Sequence, residues 1–274
     1  MTLFDAFILG LVQGLTEFLP VSSSGHLALL HRLGSAPGGD SVALDVLLHL
    51  GTLVSVVVAF RAAIWRALTR DRAVILRLIV ATAPLGLLVL PIDEERRVKD
   101  LFEAAGSNLW IVGSGFLATA GLLIWMTWLQ RRRTDVGASE GESVSETELG
   151  TMTPLDAFIA GLFQVCAVLP GISRSGSTIT AGLVRGAPTP EACEFAFLMS
   201  IPAVLGAVAV KGKAILALGE TDPAPLAVGF VTSVVTGLLA IGMVRWLLAR
   251  DRFWLFVPYL LLCAGLAFAL AATG

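Results

Sequence analysis

Two short polar runs, set in otherwise apolar sequence, hold most of the side chains that could do chemistry. The first is Gln13-x3-Glu17 followed by Ser22-Ser23-Ser24-Gly25-His26; the second runs from Pro170 through Gly171, Ile172, Ser173, Arg174, Ser175, Gly176 and Ser177 to Thr178. Gln13 and Glu17 are four residues apart and share one face of a helix. Glu17 lies deep in an apolar segment, where an ionisable group is expensive and marks a functional site by default. The competing reading is a structural glutamate bonded to backbone amides freed at a helix break. His26 has the corresponding competing reading of a satisfied core histidine, and the same structural role is the favoured reading of His31 and His49. In the second run, hydroxyls, glycines and one arginine at a predicted helix start are what an anionic phosphate needs: N–H groups aimed at its oxygens, a favourable dipole and a bidentate guanidinium. Together the two runs suit phosphoryl transfer, with a group to hold phosphate, a group to accept a proton, and a ligand for Mg2+ or Ca2+.

The elements that must position these residues are copies of one another. Residues 2–25 and 153–176 align without a gap at 11 of 24 positions: Thr2/Thr153, Asp5/Asp156, Ala6/Ala157, Phe7/Phe158, Ile8/Ile159, Gly10/Gly161, Leu11/Leu162, Gln13/Gln164, Ser22/Ser173, Ser24/Ser175 and Gly25/Gly176. Both copies open with a threonine suited to cap a helix, an aspartate three residues later and, in the second, Pro154 at the favourable first position. In the first copy, residues 3–19 are apolar, Pro20 and the serine run interrupt, and only Leu27 to Leu33 remain before Gly34. A half-helix of that length rises only ~10 Å, too short to leave the far side of a membrane. Each copy is therefore expected to dip in and return, as hairpins at about 3–33 and 154–186, which is permitted only where the backbone is buried in protein. Chemistry is divided between the copies: Glu17 is matched by Val168, Ser23 by Arg174 and His26 by Ser177. The first appears as the source of proton handling and metal, the second as the phosphate clamp.

Six further segments are long and apolar enough to cross a ~30 Å hydrocarbon core, at about 42–60, 74–91, 107–129, 194–211, 225–248 and 253–273. The expected fold is thus an all-α polytopic membrane protein with six transmembrane helices and two re-entrant hairpins. It divides into a first repeat (1–133), a flexible acidic linker (134–152) and a second repeat (153–274). Three spans per half is an odd number, so the second half should be inverted relative to the first, bringing the broken tips together near the midplane. Arginines at 61–77, 131–133 and 245–252 fall on one side of this scheme and mark it as cytoplasmic, together with the linker; the mixed loop 92–106 and Lys211 and Lys213 fall outside. The first hairpin then enters from outside and the second from the cytoplasm.

Composition agrees. The chain is 56% hydrophobic and 15% charged, against about 25% charged in soluble domains. A net charge of −2 gives no basic surface for nucleic acid, and 28 glycines suit close helix packing and permit a homodimer. Cys166, Cys193 and Cys263 sit in apolar contexts without metal-ligand spacing and are read as core residues. Acidic residues and the lack of a basic region at the N-terminus speak against a cleavable signal peptide.

The two motifs resemble those of the undecaprenyl-diphosphate phosphatase family, the bacitracin-resistance type: a (Glu/Gln)-x3-Glu motif followed by FLPVSS-x-GH, here Gln13–Glu17 and Phe18–His26, and PG-x-SRS-x-x-T, here Pro170–Thr178. The similarity extends over essentially the whole chain and includes the LHLGT stretch at 48–52. It implies removal of the terminal phosphate of undecaprenyl diphosphate, recycling of the lipid carrier for peptidoglycan, and bacitracin resistance on over-production. It also implies a divalent cation, Mg2+ or Ca2+, and a bacterial inner-membrane location with the site reached from the periplasm. Carried over, Glu17 and Gln13 would hold metal or pyrophosphate; Arg174, Ser173 and Thr178, with Ser22, would bind phosphate; and Ser23 or His26 would attack phosphorus or activate the attacker. Ser23 as nucleophile with His26 as base is the preferred arrangement; water attack with His26 or Glu17 as base is its rival. Gln13 departs from the two-glutamate form of the motif and removes one anionic ligand. A transporter or flippase of polyprenyl phosphate, using the same anion site, is the competing function.

Overall fold

The computed structural model describes residues 2–34, 41–89, 104–135, 152–216 and 222–273; most of the expected linker 134–152 and of the loop 92–106, and the side chains of Lys211 and Lys213, lie outside them. Among the described residues every regular element is helical. In chain order the principal ones are α1 (Leu3–Phe18), α2 (Ser23–Arg32), α3 (Ser41–Ala59), α4 (Arg61–Thr69), α5 (Arg72–Thr82), a 3-10 segment Ala83–Val89, α6 (Leu109–Asp135), α7 (Pro154–Cys166), α8 (Arg174–Val184), α9 (Thr189–Leu216), α10 (Pro223–Leu248), a 3-10 turn Phe253–Leu255 and α11 (Phe256–Thr273).

The repeated hairpins begin alike. Thr2 Oγ1 accepts from the Asp5 N–H at 3.1 Å while Asp5 Oδ2 accepts from the Thr2 N–H at 2.9 Å, and Thr153 and Asp156 close the same box at 3.2 and 2.9 Å. Each helix then breaks where expected. Around Pro20 the Val21 N–H turns back to the Leu19 carbonyl at 2.7 Å, and Ser22, at φ 69°, starts α2. In the second copy the break passes through Gly171, at φ 89°.

Among the described residues, four helices have the length and apolarity to cross a membrane: α6, α9, α10 and the stretch Phe253–Thr273; α3 and α4 make a fifth span if taken together across a 72° bend. The protein is an all-α polytopic membrane protein. The expected span at 42–60 is α3 itself, and the one at 74–91 is revised. The segment 42–60 is followed immediately by α4, which leaves at the Phe60 bend. The segment 74–91 is an α-helix only to Thr82 and continues as a 3-10 turn, because Pro84 has no N–H to donate and its ring opposes the carbonyl of residue 80.

The halves exchange helices. α1 packs chiefly on α10, and its counterpart α7 packs on α5, so each half's first helix lies against the other half's penultimate one. α3 meets α9, and α6 meets α11. A shared glycine makes both reciprocal crossings close: a Cβ on Gly10 would sit 2.4 Å from the Gly229 carbonyl oxygen, and one on Gly161 would sit 2.3 Å from that of Ala81. The same geometry accounts for the identity of these two positions in the repeat.

The hairpin tips meet. A Cβ on Gly25 would lie 2.9 Å from the Gly171 Cα, and Ser175 Oγ donates across the break to the Leu19 carbonyl at 3.2 Å. Phe116 of α6, fully buried, packs beneath Gly25. Gly171 is doubly constrained, by its positive φ and by a Cβ position 2.3 Å from the Val112 carbonyl oxygen. Gly171→Ala should therefore cost at least about 2 kcal/mol and lower the thermal unfolding temperature in detergent by several degrees. Gly34→Ala, at φ 75° with nothing within 4 Å, should cost only the backbone strain, about 1 kcal/mol.

Candidate active site

The two half-helices start in the same way. Ser22 caps α2 by accepting the Gly25 N–H at 3.4 Å, and Ser173 caps α8 by accepting the Gly176 N–H at 3.1 Å. Each cap also shares a hydrogen bond with the serine two residues on, Ser24 at 3.3 Å and Ser175 at 3.1 Å. The residue following each cap is the first residue of its helix, and here the copies differ: Ser23 in α2, Arg174 in α8. These equivalent positions converge from opposite halves on one carboxylate. Ser23 Oγ donates to Glu17 Oε2 at 2.7 Å, and Arg174 Nη1 reaches Glu17 Oε1 at 3.2 Å. Gln13 Nε2 adds a third donor to Oε2 at 2.9 Å.

Glu17 is only 6% exposed, while Arg174 is one-third exposed, so the guanidinium faces both the buried carboxylate and the space beyond it. A carboxylate in such a setting survives ionised only when paired and hydrogen-bonded, and both conditions are met from the two halves together. Two helix N-termini bring their partial positive charge to the same place.

His49 of α3 completes the group. Its Nδ1 donates to the Asp45 carbonyl at 2.6 Å, which leaves Nε2 facing Glu17 Oε2 at 3.6 Å. The sequence favours a structural role for His49; the signal for another is an imidazole in the middle of an apolar run, in the LHLGT stretch.

Other predicted site residues point elsewhere. His26 is not at the carboxylate: its Nδ1 donates to the Ser22 carbonyl at 2.7 Å and its Nε2 accepts from the Tyr259 hydroxyl at 2.7 Å. Its ring meets Phe116 edge-on at 5.2 Å and stacks on Tyr259 at 5.6 Å. The pairing of Ser23 with His26 expected from their spacing is thus replaced by Ser23 with Glu17. The reason is geometric: in the first turn of α2, the His26 ring folds back on the carbonyl four residues earlier and away from Ser23. The hydroxyls of Ser22 and Ser173 are occupied as caps, and both residues are buried. Thr178 Oγ1 donates to the Arg174 carbonyl at 2.8 Å and braces the first turn of α8.

Two further residues hold the site from outside the motifs. Thr119 of α6 donates to the Gly171 carbonyl at 2.7 Å and accepts from the Ser173 N–H at 3.0 Å, tying down the turn that presents Arg174. Tyr259, the chain's one tyrosine, holds His26 and through it the strained Ser22 turn that presents Ser23. A cavity of about 380 Å3 beside α6 and α7 is lined by apolar residues such as Trp125 and Phe163, and none of the Glu17 group lines it.

Among the described residues, no three His, Cys, Asp or Glu side chains gather as a metal site. The donor set nevertheless fits an oxygen-seeking cation that takes part of its shell from substrate: Gln13 Oε1 is buried with no hydrogen-bond partner, next to the Glu17 carboxylate. Mg2+ in particular is usually held by one or two carboxylates together with substrate phosphates.

A helical membrane protein whose two inward-folded hairpins place a serine, a glutamate and an arginine at one buried point belongs to the class of membrane proteins built to act on an anionic group. The chain belongs to the family described as bacitracin resistance protein BacA, whose model matches residues 6–266. It is 36% identical over 280 residues to the undecaprenyl-diphosphatase of Alkaliphilus metalliredigens, covering 94% of this chain and 95% of that protein. It is 37% identical over 283 residues to that of Carboxydothermus hydrogenoformans, covering 100% and 99%, and 34% identical over 278 residues to that of Bacteroides fragilis, covering 96% and 95%.

Tyr259→Phe should leave the buried His26 Nε2 with only the weak Cys263 thiol, 3.8 Å away, as a donor, at a cost of about 1–3 kcal/mol. The measurement is thermal unfolding of the purified protein in detergent, where the variant should melt several degrees below wild type.

Proposed function

We propose that this chain hydrolyses undecaprenyl diphosphate to undecaprenyl phosphate and inorganic phosphate, in the bacterial inner membrane, through a site that opens to the periplasm. The family and the names of its relatives support the substrate and the reaction. The observation that carries the mechanism is the 2.7 Å hydrogen bond from Ser23 Oγ to Glu17 Oε2, with Arg174 on the other carboxylate oxygen. A transporter of the same lipid needs an anion site but has no use for a hydroxyl hydrogen-bonded to a buried base, which favours hydrolysis over transport.

Arg174 binds the terminal phosphate with the N–H groups that Glu17 leaves open, and the N-termini of α2 and α8 support the charge. Ser23 Oγ attacks the terminal phosphorus as its proton passes to Glu17. The bond from that phosphorus to the bridging oxygen breaks, and undecaprenyl phosphate departs with the electron pair. Water then attacks the phosphoserine, giving its proton through Glu17 to the Ser23 oxygen, and inorganic phosphate is released. His49, next to the same carboxylate oxygen, is placed to take the proton between steps. Gln13 Oε1 and Glu17 would hold the divalent cation that the resemblance implies, which would neutralise charge on the diphosphate. His26 acts through position, fixing the turn from which Ser23 projects.

Phosphate release from a C55 or C15 prenyl diphosphate by detergent-purified protein tests this reading. Ser23→Ala and Glu17→Gln should each lower the rate by a factor of about 10^2–10^4, and Arg174→Ala should do so mainly through kcat/KM. If the Ser23→Ala protein works within tenfold of wild type, water is the nucleophile and Ser23 is not. If wild type releases no phosphate with Mg2+ or Ca2+ present, the enzymatic reading fails.

A further inference from the structure

The short helix α4 has no part in the site, yet its surface is unusual for a segment joining two membrane-embedded helices. It leaves α3 at a bend of 72°, so it runs across the direction of the helix that precedes it. Its buried face consists of two small residues, Ala63 and Ala67, four apart. The remaining surface divides into two adjoining arcs. One is apolar and outward: Trp65 is 68% exposed and Leu68 is 55% exposed. The other is basic: Arg66 and Arg70, four apart, fall on the flank beside it, Arg61 starts the helix with its Nη1 donating to the Val58 carbonyl at 3.1 Å, and Arg72 follows as the first residue of α5.

Neighbouring elements continue the basic arc. Arg245, near the end of α10, lies over the Phe60 ring at the bend, 4.7 Å from its centroid. One turn further on, Arg250 lies over the exposed Trp246 at 4.4 Å. Acidic residues nearby have other tasks: Glu194 of α9 takes Arg66 at 3.7 Å, and Asp71 caps α5 by accepting the Ala73 N–H at 3.1 Å. Exposed tryptophan alongside arginine is the chemistry of the membrane–water boundary, where the ring sits at headgroup depth and the guanidinium pairs with phosphate. A helix with an apolar arc and an adjoining basic arc lies in that plane.

We propose that α4 lies flat in the membrane interface and, with the end of α10, forms a binding surface for anionic phospholipid headgroups. Trp65 and Leu68 enter the acyl boundary, and Arg70 and Arg72, with the N–H groups of Arg61 that the Val58 carbonyl leaves open, face the phosphates. The surface is separate from the Glu17 group and independent of the reaction assigned to it.

Two measurements on the full-length protein test this. In detergent, fluorescently labelled phosphatidylglycerol should bind more tightly than labelled phosphatidylcholine, and Arg61→Gln/Arg70→Gln/Arg72→Gln should remove most of that preference, at about fivefold per arginine. Equal binding of the two lipids by wild type, or an undiminished preference in the triple variant, would overturn the headgroup site. In vesicles, emission assigned to Trp65 by subtraction of a Trp65→Phe protein should be quenched by lipids brominated near the headgroup end of the chain. Quenching by aqueous iodide in place of brominated lipid would mean that α4 stands in water, and the proposal would fail.

Discussion

The pairing of Glu17 with Arg174 is the interaction on which the rest of the arrangement depends. A carboxylate at membrane depth is tolerable only with a charge partner and a full set of donors. Glu17 receives its cation from the second repeat and two of its donors, Gln13 and Ser23, from the first. The hairpins must therefore be broken, so that helix N-termini rather than helix flanks arrive at the carboxylate. They must also meet tip to tip, so that residues 157 apart in sequence can touch. Gly25 against Gly171, Ser175 on the Leu19 carbonyl and Thr119 under the second turn all serve that single approach.

Duplication supplied the scaffold and divergence supplied the chemistry. What the copies share is structural: capping threonines and aspartates, the glycines of the helix crossings, and the serine caps of the half-helices. What they do not share stands at the first position of each half-helix, where one copy carries a hydroxyl and the other a guanidinium. A pseudo-symmetric frame thereby delivers two different groups to one point from opposite directions, an arrangement that a single copy could not produce.

Much of this was legible in the sequence because its causes are local. The capping boxes, the breaks at Pro20 and Pro170, and the unusual presence of Glu17 and Arg174 in apolar surroundings are all matters of residue type and short spacing. Pro84 was equally local, yet mean hydropathy over 74–91 hid a helix that ends at Thr82. The roles of His26 and His49 were not legible, because they depend on direction. Sequence spacing puts His26 near Ser23, but a backbone carbonyl and Tyr259, 233 residues away, draw its ring elsewhere. His49 comes to Glu17 through the packing of α3 against α1, which no local pattern announces. Ser22 and Ser173 recur for a local reason as well, since each caps the half-helix that follows it.

The exchange of helices between the halves also sets a timetable for biogenesis. α1 leaves the ribosome well before the helix it packs against, α10, which begins at Pro223, about 200 residues later. At ordinary rates of synthesis the interval is on the order of 10–40 s. Throughout it, the first hairpin carries a carboxylate, a serine run and an open glycine face without the chain that will cover them. The order of translation thereby becomes a constraint as physical as the packing itself, since α1 has to wait for α10.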